Sequence, residues 1–446
     1  MVHAAVRVGG AVGRAVPERV RRRGLDLTTT PGRLWLALVG LVLLSLAWGA
    51  LAAFTTTQYS SAASSVVSTR EPLSLAAQQI YARLSDANDA AATAFLTPGP
   101  EPASTRTRYV GDIAAASGSI EQVTAEGGAT GAAARDLAVL ARGVPTYTQE
   151  MGDAEADNRL ALPLGAAYLR AASNLMRGTL LPAAKDLYAA ENASLSGTSA
   201  QATGLPLIVI TLVAGLVVGF LLYRVSRWLR GQTNRVLNVG LLTAGVLLAI
   251  SVIWLAAAYL GGRADLLDAQ ARGSATVGAV AKATIAAQEG HADESLTLID
   301  NTGDDSYQGD FQVQSKVLGP GPGTLLSAAM TAARGTPAGP AVEAANSDAA
   351  AWYRAHEEVR SLDNNGGHQT AVKNALGTGP GDSGAAFARL SDDLDAAIHS
   401  DQAVFNSTAP AASAAYTGLM AATIAAALLM AVACAWGLSR RLAEYQ

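Results

Sequence analysis

The stretch that decides the fold class covers residues 237–260 and reads LNVGLLTAGVLLAISVIWLAAAYL. It contains 24 residues and no charged side chain. A helix rises about 1.5 Å per residue, so about 20 apolar residues cross the roughly 30 Å hydrocarbon layer of a bilayer. Trp254 and Tyr259 lie near its end, and such rings favour the membrane–water interface. The stretch therefore predicts a transmembrane helix.

Three further uncharged stretches of suitable length occur at residues 34–54, 205–223 and 414–438. The whole chain of 446 residues is 50% hydrophobic and only 15% charged. An ordinary soluble domain carries about 25% charged residues. The composition therefore argues against a soluble enzyme, and its distribution predicts four membrane spans.

The first span has an alternative interpretation as a cleavable signal peptide. It follows a charged leader and contains the small-residue sequence Ala50-Leu51-Ala52. Its apolar run of 21 residues is longer than the roughly 7–15 of a signal peptide, which favours a permanent anchor.

Arginine is concentrated in the short segments outside the spans. Residues 1–33, 224–236 and 439–446 together hold 13 basic and 3 acidic residues, whereas the rest of the chain holds 19 and 33. Cytoplasmic loops of membrane proteins carry an excess of Lys and Arg. We therefore predict that both termini and the loop 224–236 are cytoplasmic, and that residues 55–203 and 261–412 face outward from the plasma membrane.

The order of segments predicts an internal duplication, because a span, about 150 outer residues and a second span occur twice. Asp157-Asn158 recurs as Asp363-Asn364 at a shift of 206 residues, and Asp186-Leu187 recurs as Asp393-Leu394 at a shift of 207. Both halves are expected to insert in the same direction, as a parallel repeat.

The two outer regions have the pattern of helices rather than strands. Apolar residues recur at spacings of three and four, and alternating runs of β-branched residues are rare. Helix-breaking segments divide each region into four, at 98–100, 127–128 and 159–165 and then at 302–305, 335–340 and 364–367. The predicted fold class is an all-α membrane protein with four transmembrane helices and two tandem extracytoplasmic four-helix bundles.

No catalytic, cofactor-binding or metal-binding pattern is recognisable. Cys434 is the single cysteine, which excludes an internal disulfide. His356-Glu357-Glu358 lacks the second histidine of a zinc-protease helix, and the acidic stretch 300–305 has Phe311 where a calcium loop needs Glu. The spans contain no charged side chain, which argues against ion transport. We expect a non-enzymatic protein without cofactor, metal or nucleic-acid partner.

The basic cytoplasmic loop is the first candidate for a partner-binding surface. Its candidate residues combine positive charge with one aromatic ring: Arg224, Arg227, Trp228, Arg230 and Arg235. Arginines beside a span also set the topology and attract anionic lipid, so the alternative is a segment without a protein partner.

Two further patterns are candidates for contacts. Gly215 and Gly219 form a small-xxx-small motif, which lets membrane helices approach closely. Asp157-Asn158 and Asp363-Asn364 fall between the third and fourth predicted helices, at the distal tip of each bundle, where a partner would meet them. Asp and Asn are also ordinary residues of helix-ending turns, which is the alternative interpretation.

Several stretches carry a resemblance to known sensors. A helical bundle between two spans resembles the sensory module of bacterial chemoreceptors and histidine kinases. The sequences LTTTPGRL at 27–34 and LSDANDAAATAFL at 84–96 are similar to the GlnX-type membrane proteins of actinobacteria. This resemblance implies a protein that links a glutamine-binding lipoprotein outside to protein kinase G inside, in sensing amino acids such as glutamate and aspartate.

The cytoplasmic segments restrict the mechanism independently of this resemblance. They are too short for a folded output domain, so a signal must pass to a separate protein. We expect a transducer or adaptor in the plasma membrane, with a solute-binding lipoprotein and a cytoplasmic kinase as partners. The alternatives are a structural envelope scaffold without switching, and a subunit of a transport or enzyme complex.

Overall fold

A computed structural model describes residues 30–97, 101–127, 129–160, 164–233, 238–300, 305–414, 416 and 418–442. No strand occurs among them. Their α-helices are α1 Thr30–Ser65, α2 Glu71–Leu96, α3 Ala103–Ala125, α4 Ala132–Arg159, α5 Leu164–Leu175, α6 Leu181–Thr203, α7 Pro206–Thr233, α8 Val239–Ala269, α9 Ala275–Ile299, α10 Ser306–Leu318, α11 Leu325–Ala332, α12 Gly339–Asn364, α13 His368–Ala375, α14 Ser383–Ala414 and α15 Leu419–Leu442.

In the described part of the chain, three π-helical segments connect α-helices without a break. They are Val66–Arg70 between α1 and α2, Met176–Leu180 between α5 and α6, and Gln270–Ser274 between α8 and α9. The predicted breaks at 98–100, 163 and 302–304 lie outside the described residues, as do Arg235 and all the N-terminal arginines except Arg33.

Four helical stretches among the described residues are long and apolar enough to cross a membrane: Gly32–Leu96, Leu164–Gly231, Val239–Ala269 and Leu419–Arg440. They indicate a multi-pass membrane protein. The first is 65 residues long because the apolar stretch 34–54 continues through a π-helical segment into α2.

The boundaries of two spans differ from the predicted ones. α7 continues to Thr233, so the basic segment after residue 223 is helical rather than a loop over most of its length. Leu, Arg and Trp are compatible with a helix, and no glycine interrupts this segment before Gly231, so the helix continues beyond the span. α15 begins at Leu419 rather than at 414, because Gly418 has a φ of 75° and interrupts the helix.

The described chain forms two compact units, which we treat separately. The membrane unit comprises residues 1–51, 213–252 and 423–446, of which residues 30–51, 213–233, 238–252 and 423–442 are described. The bundle unit comprises residues 52–212 and 253–422.

Small residues let helices approach closely in the membrane unit. A Cβ atom at Gly215 of α7 would lie 2.8 Å from Val252 Cγ2 of α8 and 2.9 Å from Trp48 Nε1 of α1. Gly240 of α8 likewise has no room for a side chain beside Ala433 of α15. Lipid provides no hydrophobic driving force for helix association, so close van der Waals packing of this kind stabilises the contacts.

In the bundle unit, α2 and α9 pack against each other at the centre. Residues 84–92 of α2 and 290–298 of α9 are buried without exception, so neither helix has a solvent-facing side there. α3 and α6 cover α2, whereas α10, α11 and α14 cover α9. Two hydrophobic cores flank this pair, one around Tyr147 and one around Trp352.

The described residues of the second outer region form six helices, α9 to α14, where the sequence predicts four. The extra breaks follow local chemistry. Gly319, Gly321 and Gly323 all have positive φ between α10 and α11, and the sequence Gly-Thr-Gly-Pro-Gly at 377–381 separates α13 from α14. In the described part of the first outer region, α5 and α6 are joined by a π-helical segment into one continuous helical run.

The helix break at Gly204, between α6 and α7, has its own hydrogen bonds. The Tyr59 hydroxyl donates to the Gly204 carbonyl at 2.6 Å. The Tyr259 hydroxyl donates to the Thr203 carbonyl at 3.1 Å, and Arg263 Nε donates to the same carbonyl at 2.9 Å. These donors satisfy carbonyl groups that a helix end leaves without partners.

Candidate functional site

Buried polar side chains lie where α2 packs against α9. On α2 they are Asp86, Asn88 and Asp89, and on α9 they are Gln288, His291, Asp293 and Glu294. Asp89 has no exposed surface at all. Many neighbours of these groups along both helices are alanines, which allow the two backbones to approach closely.

Two of the polar contacts that join α2 directly to α9 involve the buried carboxylates Asp86 and Asp89. Gln288 Nε2 donates to Asp86 Oδ1 at 3.0 Å. One helical turn further on, Asp89 Oδ1 lies 2.5 Å from His291 Nδ1. The contacting residues are 202 positions apart in sequence, so these contacts join the first half of the chain to the second.

Arg108 of α3 neutralises the carboxylates of α2. Its Nε donates to Asp86 Oδ2 at 3.1 Å, and its Nη2 contacts both Asp86 Oδ1 and Asp89 Oδ2, the latter at 3.0 Å. A buried carboxylate is costly unless it is paired and hydrogen-bonded. The planar guanidinium fork meets this requirement for two carboxylates at once.

The surroundings of His291 favour its charged form. Burial alone would lower its pKa, but the charge and hydrogen bond of Asp89 and the charge of Glu294 outweigh burial and raise the pKa. The imidazole stacks on Phe387 of α14, with ring centroids 3.8 Å apart and planes 1° from parallel. The ring is therefore fixed both by charge and by packing.

Glu294 joins α9 to the rest of the second half. Its carboxylate accepts hydrogen bonds from Trp352 Nε1 at 3.0 Å and from Ser383 Oγ at 2.7 Å, and it lies 3.1 Å from His356 Nδ1. Burial would raise the pKa of Glu294, but the hydrogen bonds and the positive charges of His356 and His291 lower it below its usual value.

Arg177 forms a second connection between the halves, on the opposite side of α9. Its Nη1 lies 2.7 Å from Asp293 Oδ1, and its Nη2 contacts Asp310 of α10. The guanidinium also lies 5.3 Å from the centroid of the Tyr307 ring. Burial, with the negative charges of Asp310 and Glu289, raises the pKa of Asp293 to about 8 despite the attraction of Arg177.

A cavity of about 770 Å³ opens beside this network, between α2, α9 and α14. Charged and polar side chains that line it include Arg83, Asp86, Arg108, Gln288, Asp395 and His399. We call it the charged cleft. It is large enough for a small molecule and has convergent polar groups, the usual features of a ligand site.

The predicted basic surface lies at the end of α7. Arg224, Arg227 and Arg230 are exposed, and their spacing of three residues places them on one side of the helix. Trp228 is partly buried. Arg235 lies outside the described residues.

The predicted tip residues lie in the last turns of α4 (Asp157-Asn158) and α12 (Asp363-Asn364). Asn158 and Asn364 are exposed, whereas Asp157 and Asp363 are partly buried. Asp363 accepts a hydrogen bond from Arg360 Nη1 at 3.0 Å and lies 2.8 Å from His368 Nδ1. These contacts are local, as in a helix-ending turn. The contacts described here do not bring Asp157-Asn158 and Asp363-Asn364 together into one site.

The sequence prediction did not select the buried network of α2 and α9. One signal was present, because residues 84–92 combine Asp, Asn and Ser with Ala but show no separate polar and apolar sides. Helices with polar residues on every side are either fully hydrated or hold internal polar pairs. No group of three or more His, Cys, Asp or Glu residues in the described ranges is arranged to hold a metal ion.

Residues 62–200 match the family described as the actinobacterial sensor domain. The match begins in the last turn of α1, ends in α6 and includes the buried carboxylates of α2. No curated protein and no solved structure matches the chain.

The matched region and the apolar helices together define the class of protein. They support a multi-pass membrane protein of the actinobacterial sensor type, with a sensing or signalling role.

Proposed function

We propose that the chain is a non-enzymatic transmembrane transducer. It relays the state of an extracytoplasmic amino-acid-binding lipoprotein to a cytoplasmic Ser/Thr protein kinase. The observation that carries this proposal is the sensor-domain match over residues 62–200. The stretch 84–96, similar to GlnX-type proteins, falls in α2 inside that match.

The two halves arise, in this proposal, from a tandem duplication. The π-helical segments Val66–Arg70 and Gln270–Ser274 are separated by 204 residues, and α2 and α9 begin immediately after them at the same separation. π-Helical segments are rare, so their recurrence at one separation supports the duplication. The single chain then resembles a covalent dimer of a two-span sensor.

The proposed orientation places the bundle unit outside the cell and the arginine-rich ends of the spans inside, according to the distribution of arginine. Lipoprotein would contact the helix ends at Asp157-Asn158 and Asp363-Asn364. The kinase would contact the arginine surface of α7, at Arg224, Arg227 and Arg230.

The buried network suggests how a signal could be carried. Charged contacts between α2 and α9 have few alternative arrangements, so the pair favours discrete packed states over gradual sliding. A partner that binds one arrangement more tightly shifts the population toward it. Displacement of α2 would pass into the span 34–54, because no helix break separates them.

The test is affinity capture of the full chain from native membranes, with and without added L-glutamate or L-aspartate. We expect a lipoprotein and a kinase to co-purify, with recovery of the kinase dependent on the amino acid. The triple variant Arg224→Gln, Arg227→Gln, Arg230→Gln should lose the kinase and keep the lipoprotein.

The matched control removes three exposed arginines of the bundle unit, with Arg135→Gln, Arg142→Gln and Arg354→Gln. It should keep both partners, and all variants should fractionate with the membrane. Kinase recovery that is unchanged by the triple variant, or unaffected by the amino acids, would contradict the relay and favour the scaffold alternative.

A further inference from the structure

The charged cleft is a candidate for direct ligand binding. Its volume of about 770 Å³ lies within the roughly 300–1,000 Å³ of small-molecule sites. It is formed by α2 from the first half of the chain and by α9 and α14 from the second. A ligand there would contact both halves.

The arginines and carboxylates that line the cleft are balanced in number. Three arginines face three carboxylates, so the lining has no net charge apart from histidine: Arg83, Arg108, Arg389, Asp86, Asp392 and Asp395. Asp392, Asp395 and Arg389 lie on α14, whereas Asp86 and Arg83 lie on α2 and Arg108 lies on α3. A site that presents both guanidinium and carboxylate groups suits a ligand that carries both charges rather than a simple anion or cation.

Several of these charges already have protein partners. Arg108 and Asp86 pair with each other, and Arg389 Nε lies 3.3 Å from Asp348. Arg83 uses only Nη1, which donates to Asp112 at 3.0 Å, and half of its side chain is exposed. Asp395 has no ion-pair partner within the described ranges of the chain. The cleft therefore offers guanidinium N–H groups, among them those of Arg83, and carboxylates on α14, among them that of Asp395.

Gln288 provides an independent indication of a ligand. Its side chain is 6% exposed and lines the cleft, and its Nε2 is used by Asp86. Its Oε1 is buried without a hydrogen-bond partner. Buried carbonyl oxygens are rarely left without a donor, because the lost hydration is not replaced. A ligand N–H group in the cleft would supply that donor.

We propose that the charged cleft binds a small zwitterion with a carboxylate and a primary ammonium group, the chemistry of a free α-amino acid. The free edge of the Arg83 guanidinium receives the carboxylate, in the two-bond geometry that arginine favours. The ammonium group donates to Gln288 Oε1 and to the Asp395 carboxylate. A quaternary amine has no N–H group and cannot satisfy Gln288.

The opposite side of the α2–α9 pair has a separate cavity of about 400 Å³, lined among others by Glu289, Asp293 and Arg177. Glu289 accepts hydrogen bonds from Tyr81 at 3.3 Å and from Gln314 at 2.6 Å, and Asp293 pairs with Arg177. Lys185 lines that cavity and is exposed. It provides a charge-removal control on a side where we expect no ligand.

The test is isothermal titration calorimetry on the full chain in detergent, with L-glutamine, L-glutamate, L-alanine and glycine as separate ligands. At least one should bind with about one site per chain, and glycine betaine should neither bind nor compete. Arg83→Gln and Asp395→Asn should each weaken binding at least about tenfold, because each removes a charge-assisted contact. Lys185→Gln should leave the affinity unchanged.

Absence of binding by all four amino acids at millimolar concentration to folded protein would overturn the proposal. Equal affinity in the wild type and in Asp395→Asn would also overturn it; Asp395 is exposed, so this variant should fold even if Arg83→Gln does not. The signalling role of the cleft rests on the proposed function, but binding does not. Calorimetry, which uses no partner protein, tests binding in the cleft, whereas affinity capture tests the relay. Either experiment can fail while the other succeeds, so a failure of one proposal can be distinguished from a failure of the other.

Discussion

Asp89 Oδ1 of α2 lies 2.5 Å from His291 Nδ1 of α9, with both side chains buried. This contact lies at the centre of the bundle unit and joins residues that are 202 positions apart. Arg108 holds the other oxygen of the same carboxylate at 3.0 Å. A buried charge network of this kind adds little net stability over an apolar core, but removal of one member is costly. We infer that it fixes the register of α2 against α9.

The first prediction concerns Asp89→Asn. The change keeps the size of the side chain but leaves the charged His291 and part of Arg108 without a carboxylate. We expect the free energy of unfolding to fall by about 3–5 kcal/mol, the usual cost of breaking a buried pair. Thermal unfolding of the full chain in detergent, followed by circular dichroism, measures the effect.

The control is Asp153→Asn on the exposed side of α4, where we expect a change of less than about 0.5 kcal/mol. The double variant Asp89→Asn, His291→Gln should lose less than the sum of the two single variants, because the pair is already broken. Strictly additive losses would show that the contact does not couple the halves.

The membrane character of the fold could be predicted from sequence because it depends on local composition. An uncharged run such as 237–260 requires no knowledge of its neighbours. Helix breaks at Gly and Pro are equally local. The predicted boundaries of the spans were less accurate. Gly418 separates α14 from α15 but lies inside the run 414–438 that was predicted as the fourth span. Its φ of 75° cannot be predicted from an Ala-rich pattern.

The buried network could not be predicted, because it depends on which helices pack together. Asp86 and Asp89 in an Ala-rich helix are indistinguishable by composition from residues that face water. Their partners Gln288 and His291 lie about 200 residues away, and nothing in the local spacing connects them. The candidate residues that were selected, such as Asp363, belong to turns, where the local pattern is informative but the contacts remain local.

The second prediction concerns the glycine motif of α7, whose two members differ in their surroundings. A Cβ atom at Gly215 would lie 2.8 Å from Val252, whereas one at Gly219 would lie 3.5 Å from Leu248, an ordinary contact distance. Gly215→Leu should therefore separate α7 from α8 and lower the melting temperature of the detergent-solubilised protein by several degrees. Gly219→Ala should be tolerated.

Gly245→Leu is the matched control for Gly215→Leu, because nothing lies within 4 Å of a Cβ at Gly245 of α8. The same melting assay should show little change for it. Equal losses for Gly215→Leu and Gly245→Leu would mean that close helix approach at Gly215 does not stabilise the membrane unit.

The third prediction concerns the helix break at Gly204. Tyr59 and Tyr259 are the hydroxyl donors to its carbonyl, and their rings lie 4.7 Å apart. Phenylalanine keeps the ring packing and removes the donor. Each of Tyr59→Phe and Tyr259→Phe should cost about 0.5–1.5 kcal/mol and increase amide hydrogen exchange around residues 204–208.

Tyr223→Phe is the control for this pair, because Tyr223 is 55% exposed. It should leave exchange at residues 204–208 unchanged. Unchanged exchange in the double variant Tyr59→Phe, Tyr259→Phe would show that the hydroxyls do not hold the junction of α6 and α7.

The fourth prediction is a decline of stability as the pH rises. The pKa of Asp293 is about 8 in the folded chain and near its ordinary value of 3.8 in the unfolded chain. Between these values the folded state keeps a proton that the unfolded state has lost, so the contribution of Asp293 to stability is greatest below about pH 4 and falls until about pH 8. The raised pKa of His291 acts in the same direction, because its favourable charge is lost as the pH rises through that pKa. The lowered pKa of Glu294 affects stability only below the ordinary pKa of 4.5, where stability decreases as the pH falls.

The melting temperature of the full chain in detergent, measured between about pH 5 and pH 9, should therefore fall with pH. Asp293→Asn removes the group whose proton is retained among Arg177, Asp310 and Glu289, so its melting temperature should depend less steeply on pH, whatever its absolute stability. Asp153→Asn should keep the wild-type slope. If Asp293→Asn also keeps that slope, the protonation of Asp293 is not linked to the stability of the contact between the two halves.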